Sequence, residues 1–310
     1  MKQIAIIGSG SFGCALAHVF SKNNKIKMWS YTNEEKDSIN INHECLIEKK
    51  IKLSNDTMCY LNYEEAIKNS NIIILVTPSY VLRKTSIEIK PYITNQKIVL
   101  ASKGLENDKL LSDVIYEELK KETSIISGPS HAEELAKEKL CFVDFYGDKD
   151  LIKILETNNF KLNYIEDKIG IQIGGALKNI ISIGTGILES LNYTTSTISY
   201  YITKGLEEIK EIGLILGAKE ETFYGLSGLG DLLTTSLSLD SRNKKCGILL
   251  GQGKKLEEIK EETGMTIEGL DALNNAYLLI NKYNLECNLI RNLYNIINNN
   301  LEIEKILQNV

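Results

Sequence analysis

Gly8, Gly10 and Gly13 stand at G-x-G-x-x-G spacing between the apolar runs Ile4-Ala5-Ile6-Ile7 and Cys14-Ala15-Leu16-Ala17. In that setting they read as a buried strand, a tight turn and a helix start. Gly8 permits the turn, Gly10 lets backbone approach a pyrophosphate, and Gly13 lets the helix lie close on the strand. The free N–H groups and positive dipole end of such a helix attract phosphate. Lys103 follows the run Lys97-Ile98-Val99-Leu100-Ala101, which puts a cation at the carboxyl end of a buried strand, the ligand edge of an open sheet. A solvated loop lysine is the plain alternative. The turn Ser127-Gly128-Pro129-Ser130-His131-Ala132 runs into a helix, with Ser130 as its N-cap and free N–H groups for an anion or a carboxamide. Lys178 and Asn179 adjoin a face of small residues, Gly174, Gly175, Ser182 and Thr185, which would let something approach the helix closely beside the lysine. Asp231 ends the loop Gly225-Leu226-Ser227-Gly228-Leu229-Gly230 and could cap the next helix. Ser241-Arg242-Asn243 combines a guanidinium fork with two neutral hydrogen-bonding groups, a set suited to an oxyanion. Serine and asparagine are also ordinary helix-start residues.

The elements that must position these residues fall into two kinds. Up to about residue 167, short β-branched runs alternate with helical stretches, the pattern of an α/β doubly wound parallel sheet. The run Asn71-Ile72-Ile73-Ile74-Leu75-Val76, ended by Thr77-Pro78, reads as a strand buried on both faces. Beyond residue 167 the strand signal stops. Ala176, Leu177, Ile180, Ile181, Ile187 and Leu188 recur at helical spacing, and the remaining stretches also read as helices, with Thr263-Gly264 in a link between two of them. The expected division is a dinucleotide-binding domain over 1–167 and an all-helical, substrate-binding domain over 168–310.

Composition narrows the function classes. Thirty-six basic and 41 acidic residues give a net charge of −5, which argues against a nucleic-acid binder and offers no polybasic membrane patch. No apolar run approaches the ~18 residues of a membrane helix. The first residues enter a strand directly, with no signal peptide ahead of it. Six scattered cysteines form no C-x-x-C pair, which suits reduced thiols in a cytoplasm, and three histidines make a His-based metal site improbable. The second strand ends at Trp29-Ser30-Tyr31-Thr32, and no acid appears until Glu34 and Glu35. An acid there would bind the ribose 2′-hydroxyl and repel a 2′-phosphate, so its absence leaves both NAD and NADP open.

Taken together, these motifs resemble bacterial-type NAD(P)-dependent glycerol-3-phosphate dehydrogenase. The matches are G-S-G-S-F-G-C-A-L-A at 8–17, T-P-S at 77–79, S-K-G-L-E at 102–106 and S-G-P-S-H-A-E-E-L-A at 127–136. They continue with G-A-L-K-N at 175–179, T-F-Y-G-L-S-G-L-G-D-L at 222–232, S-R-N at 241–243, G-Q-G at 251–253 and E-G at 268–269. They keep order across nearly the whole chain. The resemblance implies a Rossmann domain followed by a helical domain. It also implies reversible hydride transfer between dihydroxyacetone phosphate and sn-glycerol 3-phosphate, which supplies phospholipid synthesis. On matching positions, Ser11, Phe12, Tyr31 and Ala132 would contact the cofactor, along with the glycine turn. Lys103 would touch cofactor and substrate. Gly128, Ser130, Asp231, Ser241, Arg242 and Asn243 would hold the substrate, and Arg242 and Glu268 would border the nucleotide. Lys178 would donate and accept the proton, with Asp231, if close, orienting it. No metal is required, and a homodimer is compatible with the pattern. His131, Tyr31 and Ser227 depart from the residues commonly found at their positions. Two other readings compete: a β-hydroxy acid or hydroxyacyl dehydrogenase of similar architecture, and a catalytically silent dinucleotide-binding regulator.

Overall fold

The computed structural model describes residues 1–263 and 267–310, so Gly264 lies outside the described residues. The chain forms two compact units: residues 1–103 with 111–166, and residues 104–110 with 167–310. A single cut at 167 therefore misses one excursion, because residues 104–110 pack with the second unit.

Ten strands occur among the described residues: β1 Gln3–Ile7, β2 Lys25–Trp29, β3 Met58–Tyr60, β4 Ile72–Leu75, β5 Lys97–Leu100, β6 Leu105–Glu106, β7 Lys109–Leu110, β8 Thr123–Ser127, β9 Cys141–Tyr146 and β10 Phe160–Tyr164. The helices of the first unit are α1 Ser11–Phe20, α2 Asn33–Asn42, α3 Tyr63–Ile67, α4 Leu82–Ile89, α5 Leu111–Leu119, α6 Ala132–Ala136 and α7 Ile152–Leu155. Its eight strands form one sheet in the order β10-β9-β8-β5-β4-β1-β2-β3. Ile6 of β1 pairs with Met28 on one side and Ile74 on the other, so strand order reverses beside β1. That crevice is where open α/β sheets take ligands. All four residues of β4 are buried, as its unbroken apolar run requires.

The sheet is not parallel throughout. β9 runs antiparallel to β8, with Ile126 opposite Phe145, and β10 follows β9.

The second unit holds the β6–β7 ribbon, joined by Leu105–Leu110 pairing, and otherwise helices. These are α8 Gly170–Ser190, α9 Thr195–Ile215, α10 Glu220–Phe223, α11 Asp231–Leu237, α12 Arg242–Gly251, α13 Leu256–Thr263, α14 Glu268–Lys282 and α15 Asn288–Asn298. The ribbon directly precedes α5, which starts at Leu111. α8 is the core, buried from Gly170 to Leu188. Asp167 starts it, accepting from the Ile169 and Gly170 N–H groups at 3.1 and 2.8 Å, while its other oxygen accepts from Thr222 Oγ1 at 2.7 Å. By length and composition α8 could cross a membrane, contrary to the expectation that no such run exists; its burial assigns that apolarity to the core.

Glu208 on α9 is a buried acid that caps α15. Its carboxylate accepts from the Leu289 and Ile290 N–H groups at 2.7 and 3.0 Å. Burial pushes the carboxyl up to about 7, although those N–H groups pull it down. The sign follows from linkage. Between pH ~4.5 and ~7 the folded chain keeps a proton that the unfolded chain releases, so stability falls as pH rises through that window. A shift of this size corresponds to roughly 3 kcal/mol. Glu208→Gln should remove most of that slope; urea unfolding at a series of pH values from 5 to 8 measures it, and an unchanged slope would place the titration elsewhere.

Candidate functional site

In the first unit, β1 ends in Gly8 at φ +126°, and a Cβ there would meet the Val76 carbonyl at 3.0 Å, at the end of β4. A Cβ on Gly13 would sit 2.2 Å from the Gly8 oxygen. The protein's own backbone thus demands both glycines. Gly10 differs: its φ is an ordinary −64°, and a Cβ would meet nothing within 4 Å. Gly10 is the N-cap of α1, with no side-chain cap and no acid in the first turn, which begins with Ser11 and Phe12. The helix start therefore offers uncapped N–H groups beside open space, and a dinucleotide pyrophosphate fits that cradle.

Tyr31 is 80% exposed just past β2. Trp29 stacks on Tyr63 at 4.3 Å and meets Tyr31 edge-on at 6.5 Å. Glu35 is committed locally: its carboxylate accepts from the Thr32 N–H at 3.3 Å while Thr32 Oγ1 accepts from the Glu35 N–H at 3.2 Å. Lys103 is no free loop lysine. Its Nζ donates to the Gly128 carbonyl at 3.2 Å, the same oxygen that Ser130 Oγ reaches at 3.0 Å. Gly128 has φ +149°, and a Cβ there would press on Val143 Cα at 2.9 Å. Lys103, Gly128 and Ser130 thus form one cluster. Ser130 is not the expected N-cap; His131 holds that position without a side-chain bond, and Ala132 opens α6.

In the second unit, the Lys178 ammonium pairs with Asp231 Oδ1, with the two residues 8% and 1% exposed. Asp231 is the first residue of α11, and its side chain serves Lys178. Four residues along α8 from Lys178, Ser182 Oγ donates to the Thr235 carbonyl at 3.1 Å and lies 3.1 Å from Ser241 Oγ. Ser241 caps α12, accepting from the Lys244 N–H at 3.3 Å. Asn243 Oδ1 accepts from the Gly269 N–H at 2.9 Å, which turns its amide NH₂ away as a donor. Arg242 is half exposed, with Nη2 4.0 Å from Glu268 Oε1, and Asn179 Nδ2 reaches the other Glu268 oxygen at 3.5 Å. The starts of α11, α12 and α14 thus meet on one face of α8.

Two readings of the sequence change here. The small residues of α8 were expected to admit a visitor, yet a Cβ on Gly174 would meet the Ser227 carbonyl at 2.3 Å and one on Gly186 the Lys244 carbonyl at 2.2 Å. At both positions the visitor is the chain's own backbone. Thr235 and Lys244 escaped notice altogether. Their signal was helical spacing alone: Thr235 lies one turn after Asp231, with its hydroxyl bonded to the Asp231 carbonyl at 2.8 Å. Among the described residues, no group of three His, Cys, Asp or Glu side chains is placed to hold a metal.

The models for the N-terminus and C-terminus of NAD-dependent glycerol-3-phosphate dehydrogenase match residues 3–146 and 167–308. A glycerol-3-phosphate dehydrogenase [NAD(P)+] of Fusobacterium nucleatum is 40% identical over 308 residues, covering 94% of this chain and 90% of that protein. The Bacillus subtilis protein of the same name is 34% identical, with 100% of this chain and 94% of its own covered. The crystal structure of glycerol-3-phosphate dehydrogenase from Coxiella burnetii superposes with a TM-score of 0.95 at 31% identity, over 99% of this chain and 98% of that one. The chain therefore belongs to the NAD-dependent glycerol-3-phosphate dehydrogenase family.

The glycine turn yields a test that separates fold from ligand. Gly13→Ala should cost about 1–3 kcal/mol of stability through the clash with Gly8. Gly10→Ala should leave stability within about 0.5 kcal/mol and weaken NADH binding. Unfolding midpoints and fluorescence titration with NADH read the two effects independently.

Proposed function

We infer that this chain interconverts dihydroxyacetone phosphate and sn-glycerol 3-phosphate with NAD(P)H, the reaction of its family, and so supplies glycerol phosphate for phospholipid synthesis. The buried Lys178–Asp231 pair, set among the helix starts that carry Ser241, Arg242, Asn243 and Glu268, is the observation that carries this reading. We assign the first unit to the dinucleotide and the second to the substrate.

When bound, the nicotinamide supplies or takes up the hydride. The protein's part is charge and protons. As the ketone is reduced its oxygen becomes negative, and a positioned Lys178 ammonium stabilises that charge and donates a proton there. In the opposite direction Lys178 must be neutral to take the hydroxyl proton. Asp231 holds the Lys178 nitrogen in place for both directions. Arg242 offers a two-bond grip on the phosphate, flanked by Ser241 and by the outward-turned amide of Asn243. Lys103, Gly128 and Ser130 supply a cation and polar groups for substrate or cofactor. Gly8, Gly10, Ser11, Phe12 and Gly13 cradle the pyrophosphate, with Tyr31 and Ala132 along the rest of the nucleotide; the family pattern also assigns Arg242 and Glu268 to the nucleotide. Trp29, Ser30, Tyr31 and Thr32 put no acid at the end of β2 to reject a 2′-phosphate, and Glu35 is committed to its own helix start, so either coenzyme serves.

Family membership and an intact lysine–aspartate pair weigh against a silent regulator, and a guanidinium fork favours a phosphate over a carboxylate or thioester. The substrate is a small phosphorylated three-carbon compound. Neither nucleic acid nor membrane enters this reading, which is indifferent to whether the chain acts alone or as a homodimer. Six buried free thiols go with a reducing, cytoplasmic setting.

The decisive assay is oxidation of NADH or NADPH by dihydroxyacetone phosphate. Lys178→Ala should lower kcat by about 10²–10⁴-fold with little change in cofactor affinity; near-normal kcat would remove the proton role from Lys178. Arg242→Ala should lower kcat/KM by about 10²–10³-fold, as loss of a charge-assisted pair costs ~2–5 kcal/mol. Unphosphorylated dihydroxyacetone, a poor substrate throughout, should be harmed much less. Equal losses on both substrates would mean that Arg242 serves the cofactor or the fold.

A further inference from the structure

Lys244 is a buried cation that the catalytic reading leaves without a task. Its side chain is 6% exposed, and its ammonium meets Glu189 Oε2 at 2.7 Å near the end of α8. Burying the Lys244 charge consumes much of its attraction to Glu189, whose side chain stays 42% exposed, so apolar contacts would hold the two helices together about as well. The surroundings of Lys244 indicate what the pair adds. It follows Asn243 directly, and its own N–H is the one that Ser241 caps. Its carbonyl lies 2.2 Å from where a Gly186 Cβ would be, and one turn later a Cβ on Gly247 would lie 1.9 Å from the Ile183 carbonyl. α12 therefore rests on α8 backbone to backbone. Helices normally lock their register by side-chain ridges seated in grooves, and these glycines remove the ridges at the contact. Something else must stop α12 from sliding along α8.

We propose that the Lys244–Glu189 ion pair is that stop: a positioning device that sets the register of α12 on α8 and so places Arg242 and Asn243, relative to Lys178, for a phosphorylated substrate. The proposal rests on the reading that Arg242 and Asn243 hold the phosphate. Ser182 and Ser241, 3.1 Å apart, tie the same two helices at the start of α12, which leaves the pair to act as the second fixed point. Two fixed points define a register; one allows pivoting.

The test uses the whole chain with Glu189→Gln, Lys244→Met and the double variant Glu189→Met/Lys244→Met. The readouts are kcat and KM for dihydroxyacetone phosphate at saturating NADH, NADH affinity by fluorescence, and the urea midpoint. Small misplacements of binding groups carry large kinetic effects, so each single variant should raise KM about tenfold while kcat falls less than about threefold and NADH affinity stays within about twofold. The double variant should recover the urea midpoint, since an apolar pair replaces an ionic one, while KM stays raised. Recovery of KM along with the midpoint would reduce the pair to packing and overturn the proposal. Unchanged KM in the single variants, or an equal loss of NADH affinity, would overturn it too. Glu189→Gln changes only a part-exposed side chain and keeps the test readable should Lys244→Met fail to fold. Arg242→Ala in the same assay separates the two levels. If it raises KM where Glu189→Gln does not, the positioning role alone falls; if it leaves KM unchanged, the phosphate reading falls and the positioning role with it.

Discussion

The buried contact between Lys178 and Asp231 constrains the second unit more than any other. A lysine ammonium with 8% exposure has to find a carboxylate inside the protein, because water cannot solvate it there. That requirement fixes α11 against α8. It also accounts for the loop ahead of Asp231: a Cβ on Gly228 would strike the Phe223 carbonyl at 2.2 Å and one on Gly174 the Ser227 carbonyl at 2.3 Å. The chain folds tightly against α8 there, and α11 begins with its carboxylate already at the lysine. Breaking such a pair from one side leaves a charge stranded and typically costs about 3–5 kcal/mol. Function and fold are therefore tied at the residue proposed to move the proton.

The same device recurs in both units. Wherever a ligand-facing helix must start at a fixed point, glycine lets backbone touch backbone. In the first unit Gly13 lies against Gly8, which brings α1 onto β1; in the second, Gly186 and Gly247 let α12 rest on α8. Gly10 is the informative exception. No protein atom demands it, and the space it leaves is where a pyrophosphate would lie.

Much of this was legible from residue types and spacing. The switch from β-branched runs to helical stripes near residue 167 reflects a real change from sheet to helices, and the β4 run of three isoleucines and a leucine is buried as its composition requires. Motif spacing singled out the lysines, Asp231 and the Ser241–Asn243 triplet. Contacts between distant segments were not legible. The antiparallel pairing of β9 with β8 breaks the alternation of parallel strands and helices without a marker in residue type. The β6–β7 ribbon depends on four residues choosing a partner unit. Lys244 and Thr235 matter through what faces them, and a linear sequence does not state that. The small face of α8 was read correctly as a place of close approach, but the visitor was misjudged, since a glycine does not reveal whether ligand or backbone will press on it.

The placement of charge in the second unit follows from helix starts. α11 and α14 begin with Asp231 and Glu268, acids that favour the positive end of a helix dipole. α12 begins with Arg242, which the same dipole disfavours. A helix that opens on a cation leaves its N-terminal field uncompensated, and Glu268 at 4.0 Å offsets it only in part. A dianionic phosphate answers both unmet charges at once, the guanidinium and the dipole end. An uncharged analogue answers neither. In the function proposed here, the preference for a phosphorylated substrate rests on α12 beginning with the wrong charge for its own stability.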